Sequence, residues 1–332
     1  MSFPSNTLPT HRPLRAVIIG AGLMGRWHAD AVRRNGHRIA AVLDPQAQAR
    51  EWLAGQFGAR AFESLDAVQG VPLDVAHICT PMDTHVALAE AALSAGLHVV
   101  VEKPLAATAA ECARIYAAGK EANRQVMPVH QFPFQDGAAQ ARKWLNSIGR
   151  VVRMEGRFYS AGAALGKGSA ENILADVLPH PLSLMMRFAG SLPDTWNVIR
   201  AGEGECQADA VHAGMTLSIA ISMNARPTTA WFIIAGTHGT IQLDLFHGYA
   251  IREGGGVSTA RKILHPFDFA ARMLLTAGSN LAGRAARGET AYPGLRRLIG
   301  GFYEAIQTGG DMPLPEAEVM ATVRARDVIL KG

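Results

Sequence analysis

Residues 14–25 read LRAVIIGAGLMG, an apolar, β-branched run that ends on Gly20 and passes through Gly22 and Gly25 into a helical pattern. GxGxxG spacing directly after a strand and directly before a helix leaves few folds open. Gly20 permits the tight turn, Gly22 lets the backbone approach a pyrophosphate, and Gly25 lets the helix pack closely on the strand. An anion then rests on the free N–H groups of the helix start, so contacts fall on Gly20, Ala21, Gly22, Leu23, Met24 and Gly25. A plain turn is the alternative for these glycines.

The surrounding pattern agrees with that reading. Short β-branched runs at 14–20, 38–44, 75–80, 97–102 and 125–129 alternate with Ala-rich segments of helical length. Such alternation builds right-handed βαβ units, hence a doubly wound parallel sheet. After a helix at 137–148 the pattern changes to strands at 151–160, 195–201, 211–220, 228–235 and 240–245, interrupted by one helix at 173–188. A second α+β domain with a largely antiparallel, open sheet follows, and 294–308 and 316–330 read as closing helices. Residues 252–256 and 278–289 read as loops. The expected domains are 1–130, binding a dinucleotide, and 131–332, binding substrate and carrying self-association, with the closing helices packing back on the first domain. Apolar positions on the second sheet exceed what one covering layer would use, which predicts a homodimer or homotetramer through that sheet.

The second strand ends on Asp44, nineteen residues after Gly25, where this fold places an acid on the adenosine ribose hydroxyls. A 2′-phosphate would meet that carboxylate, so NAD is expected over NADP. A turn residue ahead of Pro45 is the plainer reading. Lysine is scarce, six against 26 arginines, yet one ends a buried-looking strand in LHVVVEKPL. Lys103 lies at the carboxyl edge of the sheet, where ligands of such folds bind, and a desolvated lysine there can polarise a hydroxyl. A lysine stem snorkelling from the strand end is the alternative.

Several segments together resemble the Gfo/Idh/MocA oxidoreductases. They are GAGLMGRWHA at 20–29, ICTPMDTHVALAEAALSAGLHVVVEKPLA at 78–106, ADVLPHPLSL at 175–184 and FYEAIQTGGDMPLPEAEVMATVRARDVIL at 302–330. The resemblance implies a two-domain enzyme that moves hydride between NAD(P) and a carbinol or keto carbon of a sugar, polyol or sugar-like substrate. It implies that Lys103 is the catalytic lysine, that Thr80, Pro81 and His85 line the cofactor site, and that Asp176 and His180 form the pair touching the reacting hydroxyl, with His180 as general base. Glu102, beside Lys103, and Gln131 are further cofactor candidates. Residues four apart share a helix face, although Pro179 and Pro181 flank His180 and disturb a helix unless it starts near Asp176. Capping roles are the alternatives for Asp176 and His180. Two departures bear on substrate: Ser169–Ala170–Glu171–Asn172–Ile173 replaces a glycine-rich stretch, and HQFPFQDGA replaces an arginine-bearing version.

Other chemistries find little support. A formal charge of +4 is spread without a basic stripe, which argues against nucleic acid. Cys79, Cys112 and Cys206 stand far apart and no histidine pair has ligand spacing, so neither disulfides nor a metal are expected. The N-terminal MSFPSNTLPTHRPLR has no apolar core and no run of about 18 apolar residues occurs, so a cytoplasmic protein without membrane contact is expected. Two other functions stay open: an imine or double-bond reductase on the same scaffold, and a non-catalytic dinucleotide-binding protein.

Overall fold

A computed structural model describes residues 12–160, 169–256, 258–289 and 291–332. Residues 1–11, which carry most of the N-terminal segment read for an export signal, lie outside the described residues. Two compact units form: residues up to 102 with Arg114–Met127 and Ile299–Pro313, and Lys103–Ala113 with Pro128–Leu298 and Leu314–Gly332.

The chain first runs β1 (Arg15–Ile19), α1 (Leu23–Arg34), β2 (Arg38–Leu43), α2 (Ala47–Phe57), β3 (Arg60–Phe62), β4 (Val75–Ile78), α3 (His85–Ser94), β5 (His98–Val101), α4 (Ala109–Glu121) and β6 (Val126–Pro128). The sheet order is β3-β2-β1-β4-β5-β6, with β1 parallel to both β2 and β4. The order reverses between β1 and β4, the point where open α/β sheets bind ligands. Ala16, Val17, Ile18, Val75, Ala76 and Ile78 are fully buried, as continuous apolar runs require when helices cover both faces. The three-residue β3 has too little sequence to announce itself and was not expected.

Beneath this sheet lies a buried polar chain. Glu102 Oε1 meets His28 Nε2 at 2.9 Å, His28 Nδ1 meets His77 Nδ1 at 2.9 Å, and His77 Nε2 meets the Tyr303 hydroxyl at 2.8 Å. Burial, then the neighbouring His28 and His37, hold His77 well below the ordinary histidine pKa. His98 falls to about 4, chiefly through burial and then through Arg124. The unfolded chain therefore binds more protons than the folded one below about pH 6.5, and stability falls as pH falls from there. We expect the thermal midpoint to drop by on the order of 5 °C between pH 7.5 and pH 5; a midpoint that holds or rises would contradict this assignment of neutral histidines.

The second unit carries α5 (Asp136–Trp144), β7 (Val151–Tyr159), α6 (Ala170–Val177), α7 (Pro179–Ala189), β8 (Asn197–Gly202), β9 (Glu205–His212), β10 (Met215–Ser222), β11 (Thr229–Gly236), β12 (Gly239–Asp244), β13 (Tyr249–Gly254) and α8 (Thr259–Ala286). The closing helices are α9 (Leu295–Thr308) and α10 (Glu316–Lys331). The sheet order is β13-β12-β11-β7-β10-β9-β8, antiparallel apart from the β10–β7 pair. Its inner face, with Met154, Leu217, Ile219, Phe232 and Ile234, packs with Leu174, Leu178, Leu182 and Met185 in one core.

Four expectations need correction here. The run 211–220 is not one strand, because Ala213 and Gly214 both take positive φ and turn β9 back into β10. Residues 252–254 belong to β13, and 278–286 to the 28-residue α8. The helix expected at 173–188 is two, meeting at Leu178. Pro179 stands at the first position of α7 with Leu178 as its N-cap, so the prolines occupy a first turn whose N–H groups need no helical partner. Among the described residues, no helix is long and apolar enough to cross a membrane.

Candidate functional site

In the first unit the turn between β1 and α1 is built as its glycines demand. Gly20 has φ +96°, and a Cβ there would lie 2.7 Å from the Cys79 carbonyl oxygen. A Cβ on Gly25 would sit 1.9 Å from the Gly20 oxygen, while one on Gly22 would meet nothing within 4 Å. The first two glycines named are therefore required by packing, and Gly22 faces open space. Gly22 is also the N-cap of α1, extended and without a side-chain cap, and Leu23 after it is exposed. An uncapped helix start opening on free space suits a phosphate.

Asp44 braces this turn. Its Oδ2 accepts from the Ala21 N–H and its Oδ1 from the Gln46 N–H, both at 2.8 Å. Each oxygen retains a lone pair for a ribose hydroxyl. Thr80 and Pro81 lie between β4 and α3, where the Thr84 hydroxyl donates to the Pro81 carbonyl and meets the Thr80 hydroxyl at 2.7 Å. His85 is buried, with Nε2 2.9 Å from the Thr80 carbonyl, so its imidazole supports this loop from behind. Glu102 likewise turns its carboxylate inward onto His28.

In the second unit the structure brings together Lys103, Asp176 and His180. Lys103 Nζ donates to the backbone carbonyl of Asp176 at 3.3 Å. Asp176 lies in the last turn of α6 and His180 in the first turn of α7. Neither is the N-cap; Ser169 caps α6 by accepting from the Asn172 N–H, and Leu178 caps α7. The His180 ring is half-buried and stacks on Phe132 at 4.2 Å between centroids, with Phe158 behind. Burial, followed by the positive charge of Lys103 and the neighbouring His130, holds its pKa well below the ordinary histidine value. Gln131 is buried at the head of the 3-10 turn Phe132–Phe134. The segment at 169–173 is a capped helix start, with Glu171 accepting from the Gly204 N–H at 2.9 Å.

Three participants escaped the sequence reading. His130, buried, acts electrostatically on His180, and Phe132 supplies the ring beneath it. Arg326 on α10 is fully buried and donates to the carbonyls of Ala106 at 3.0 Å and Ala107 at 2.5 Å, while Asp327 accepts from the Ala109 N–H. These bonds fix the strand-to-helix segment that begins with Lys103. A charge in the apolar periodicity of 316–330 was the only available signal for Arg326.

Residues 14–130 match the profile of a family described as an oxidoreductase family with an NAD-binding Rossmann fold, abbreviated GFO_IDH_MocA. A UDP-N-acetylglucosamine 3-dehydrogenase of Acidithiobacillus ferrooxidans is 27% identical over 213 residues, 62% of this chain and 64% of that protein. An inositol 2-dehydrogenase of Leifsonia xyli is 37% identical over 111 residues, 32% and 33% of the two chains. The matched region thus spans less than two-thirds of either relative's length. The WlbA dehydrogenase of Bordetella pertussis, solved with NADH and UDP-GlcNAcA, shares the fold with a TM-score of 0.76 at 18% identity, covering 98% of this chain and 96% of that one.

Proposed function

From the match of residues 14–130 to the Gfo/Idh/MocA oxidoreductase profile, we propose that this chain is an NAD-dependent dehydrogenase acting on a hydroxyl or keto carbon of a sugar, polyol or sugar-like substrate. The observation that carries the reading is the grouping of Lys103, Asp176 and the low-pKa His180 in a chain that also holds an uncapped, glycine-built helix start.

NAD fits the residues present. Gly22 leaves the space that a Cβ would fill, the first turn of α1 offers N–H groups, and Asp44 has acceptor capacity to spare for ribose. When bound, the nicotinamide supplies a hydride acceptor or donor. Thr80 and Pro81 would line the same site, held in place by His85. Within the second unit, Lys103 would orient and polarise the substrate hydroxyl, and neutral His180 would take its proton, a contribution of about 10²–10⁴ in rate. Asp176 contributes its backbone carbonyl to Lys103. The first unit serves the dinucleotide and the second the substrate. Self-association through the second sheet, whose outward positions include Trp231 and Ile233 on β11, belongs to the same proposal, as does a cytoplasmic setting.

The test is a fluorescence titration with NADH and NADPH, followed by a panel of polyols and sugar nucleotides. A 2′-phosphate about 4 Å from Asp44 meets about 4 kcal/mol of repulsion at an effective dielectric of 20. NADH should therefore bind at least about 100-fold more tightly than NADPH, and Asp44→Ala should weaken NADH while narrowing that gap. NADPH preference, with His180 dispensable, would favour the imine or double-bond reductase. Binding without turnover of any substrate would favour the non-catalytic protein.

A further inference from the structure

Helix α8 is apolar on two opposite faces. One face holds it to its own unit: His265 Nε2 lies 2.6 Å from Glu253 on β13, Asn280 and the buried Arg284 donate to the His247 carbonyl, and Phe269 and Met273 are half-buried on the same side. The opposite face leaves Ile263, Leu264, Phe267, Leu274, Leu275 and Leu281 between 57% and 75% exposed. A surface helix ordinarily turns charge to water on that side. Fully burying such side chains removes roughly 60–120 Å² each, so six of them offer on the order of 400 Å² of apolar surface. That is about the apolar share of a standard interface burying about 800 Å² per partner.

The order of residues along the stripe identifies the occupant. Large and small side chains follow heptad spacing, Leu264, Phe267, Ala271, Leu274, Gly278, Leu281 and Ala285. Reversing the helix about the point between Leu274 and Leu275 sets Leu264 against Ala285, Phe267 against Ala282, and Ala271 against Gly278. Leu264 and Phe267 then each meet an alanine, Ala271 and Gly278 bring two small residues together, the two leucines meet at the centre, and Leu281 lies opposite Asp268. Such self-complementarity about a two-fold axis is what an isologous contact demands. Pro266 lies near the start of α8, leaving the stripe from Phe267 onward without an internal proline.

We propose that the outer face of α8 is an interface between two copies of this chain, packed antiparallel about Leu274–Leu275. It is distinct from any contact through the second sheet. A sheet-mediated dimer would be raised by it to a tetramer, and a chain with no sheet contact would be raised by it to a dimer.

Light scattering on the 332-residue protein, with and without NADH, provides the first test. Leu274→Glu and, separately, Phe267→Asp should each halve the mass, while circular dichroism and NADH affinity stay unchanged, since both residues are exposed. Oxidative cross-linking provides the second. Leu274→Cys should form a disulfide with its own copy in the partner, since near-axis Cα atoms come within disulfide reach. Leu281→Cys should not, because its two copies stand about 20 Å apart along an antiparallel pair. A monomeric parent protein, a mass that neither substitution changes, or cross-linking through both positions would overturn the proposal. So would binding to anionic vesicles that is abolished by Leu274→Glu in the absence of any cross-link, which would assign the stripe to a lipid surface.

Discussion

Replacing His180 by alanine should lower kcat about 10³-fold, within the usual range for losing a positioned general base, and leave NADH affinity within about two-fold. The same loss is expected for Lys103→Ala. What separates the two roles is pH. The folded environment holds the imidazole of His180 well below its ordinary pKa, first by burial and then by the charge of Lys103. A base must be unprotonated, so the acid limb of kcat/KM for alcohol oxidation should lie below about pH 6.5. Lys103→Met removes the nearby cation, and the limb should move up toward that value while kcat falls. A limb that stays in place in Lys103→Met would show that the two side chains do not communicate. Unchanged kcat in His180→Ala would remove the proposed base altogether.

The second large effect concerns two glycines three residues apart. Gly25→Ala drives a methyl to 1.9 Å from the Gly20 oxygen, a contact with backbone that no rotamer can relieve. The turn must shift, costing about 1–3 kcal/mol of stability and at least about 100-fold in NADH affinity. Gly22→Ala meets nothing of the protein within 4 Å. Its thermal midpoint should match the parent, yet NADH affinity should also fall at least about ten-fold, because the methyl occupies space that the pyrophosphate needs. Thermal unfolding and fluorescence titration on the two variants read these outcomes independently. A Gly22→Ala protein that binds NADH normally would place the cofactor elsewhere.

That contrast shows what sequence alone can and cannot convey. The spacing 20-22-25 and Asp44 were legible because each follows from local geometry within one strand-turn-helix unit. The Lys103 position was legible because a lysine, a scarce residue in this chain, closes a buried-looking strand where solvent-facing charge is not expected. The two prolines around His180 looked like an obstacle until Leu178 proved to cap a new helix, a boundary that no residue type announces. His130 and Arg326 remained hidden because their roles are defined by partners 50 and 220 residues away.

The misreading at 278–289 has a different origin. Gly278 and Gly283 punctuate the sequence, and glycine inside a helix costs roughly 0.5–1 kcal/mol relative to alanine. Here neither glycine ends the helix, which continues to Ala286 with Asn280 and Arg284 bonded to His247. Under the antiparallel pairing proposed for α8, Gly278 has a use, since a small residue lets two helices approach closely.

Arg326 has a bearing on how chains of this fold can be recombined. The segment carrying Lys103 is clamped at Ala106 and Ala107 by a side chain from the last helix, although more than two hundred residues of chain intervene. A hybrid that joined residues 1–130 of this protein to the remainder of a distant relative would exchange that clamp for whatever the donor carries at the matching position. Crossover points chosen from the linear order alone would separate the lysine from its support. A functional hybrid therefore calls for two junctions, so that α10 and residues 103–109 come from the same parent.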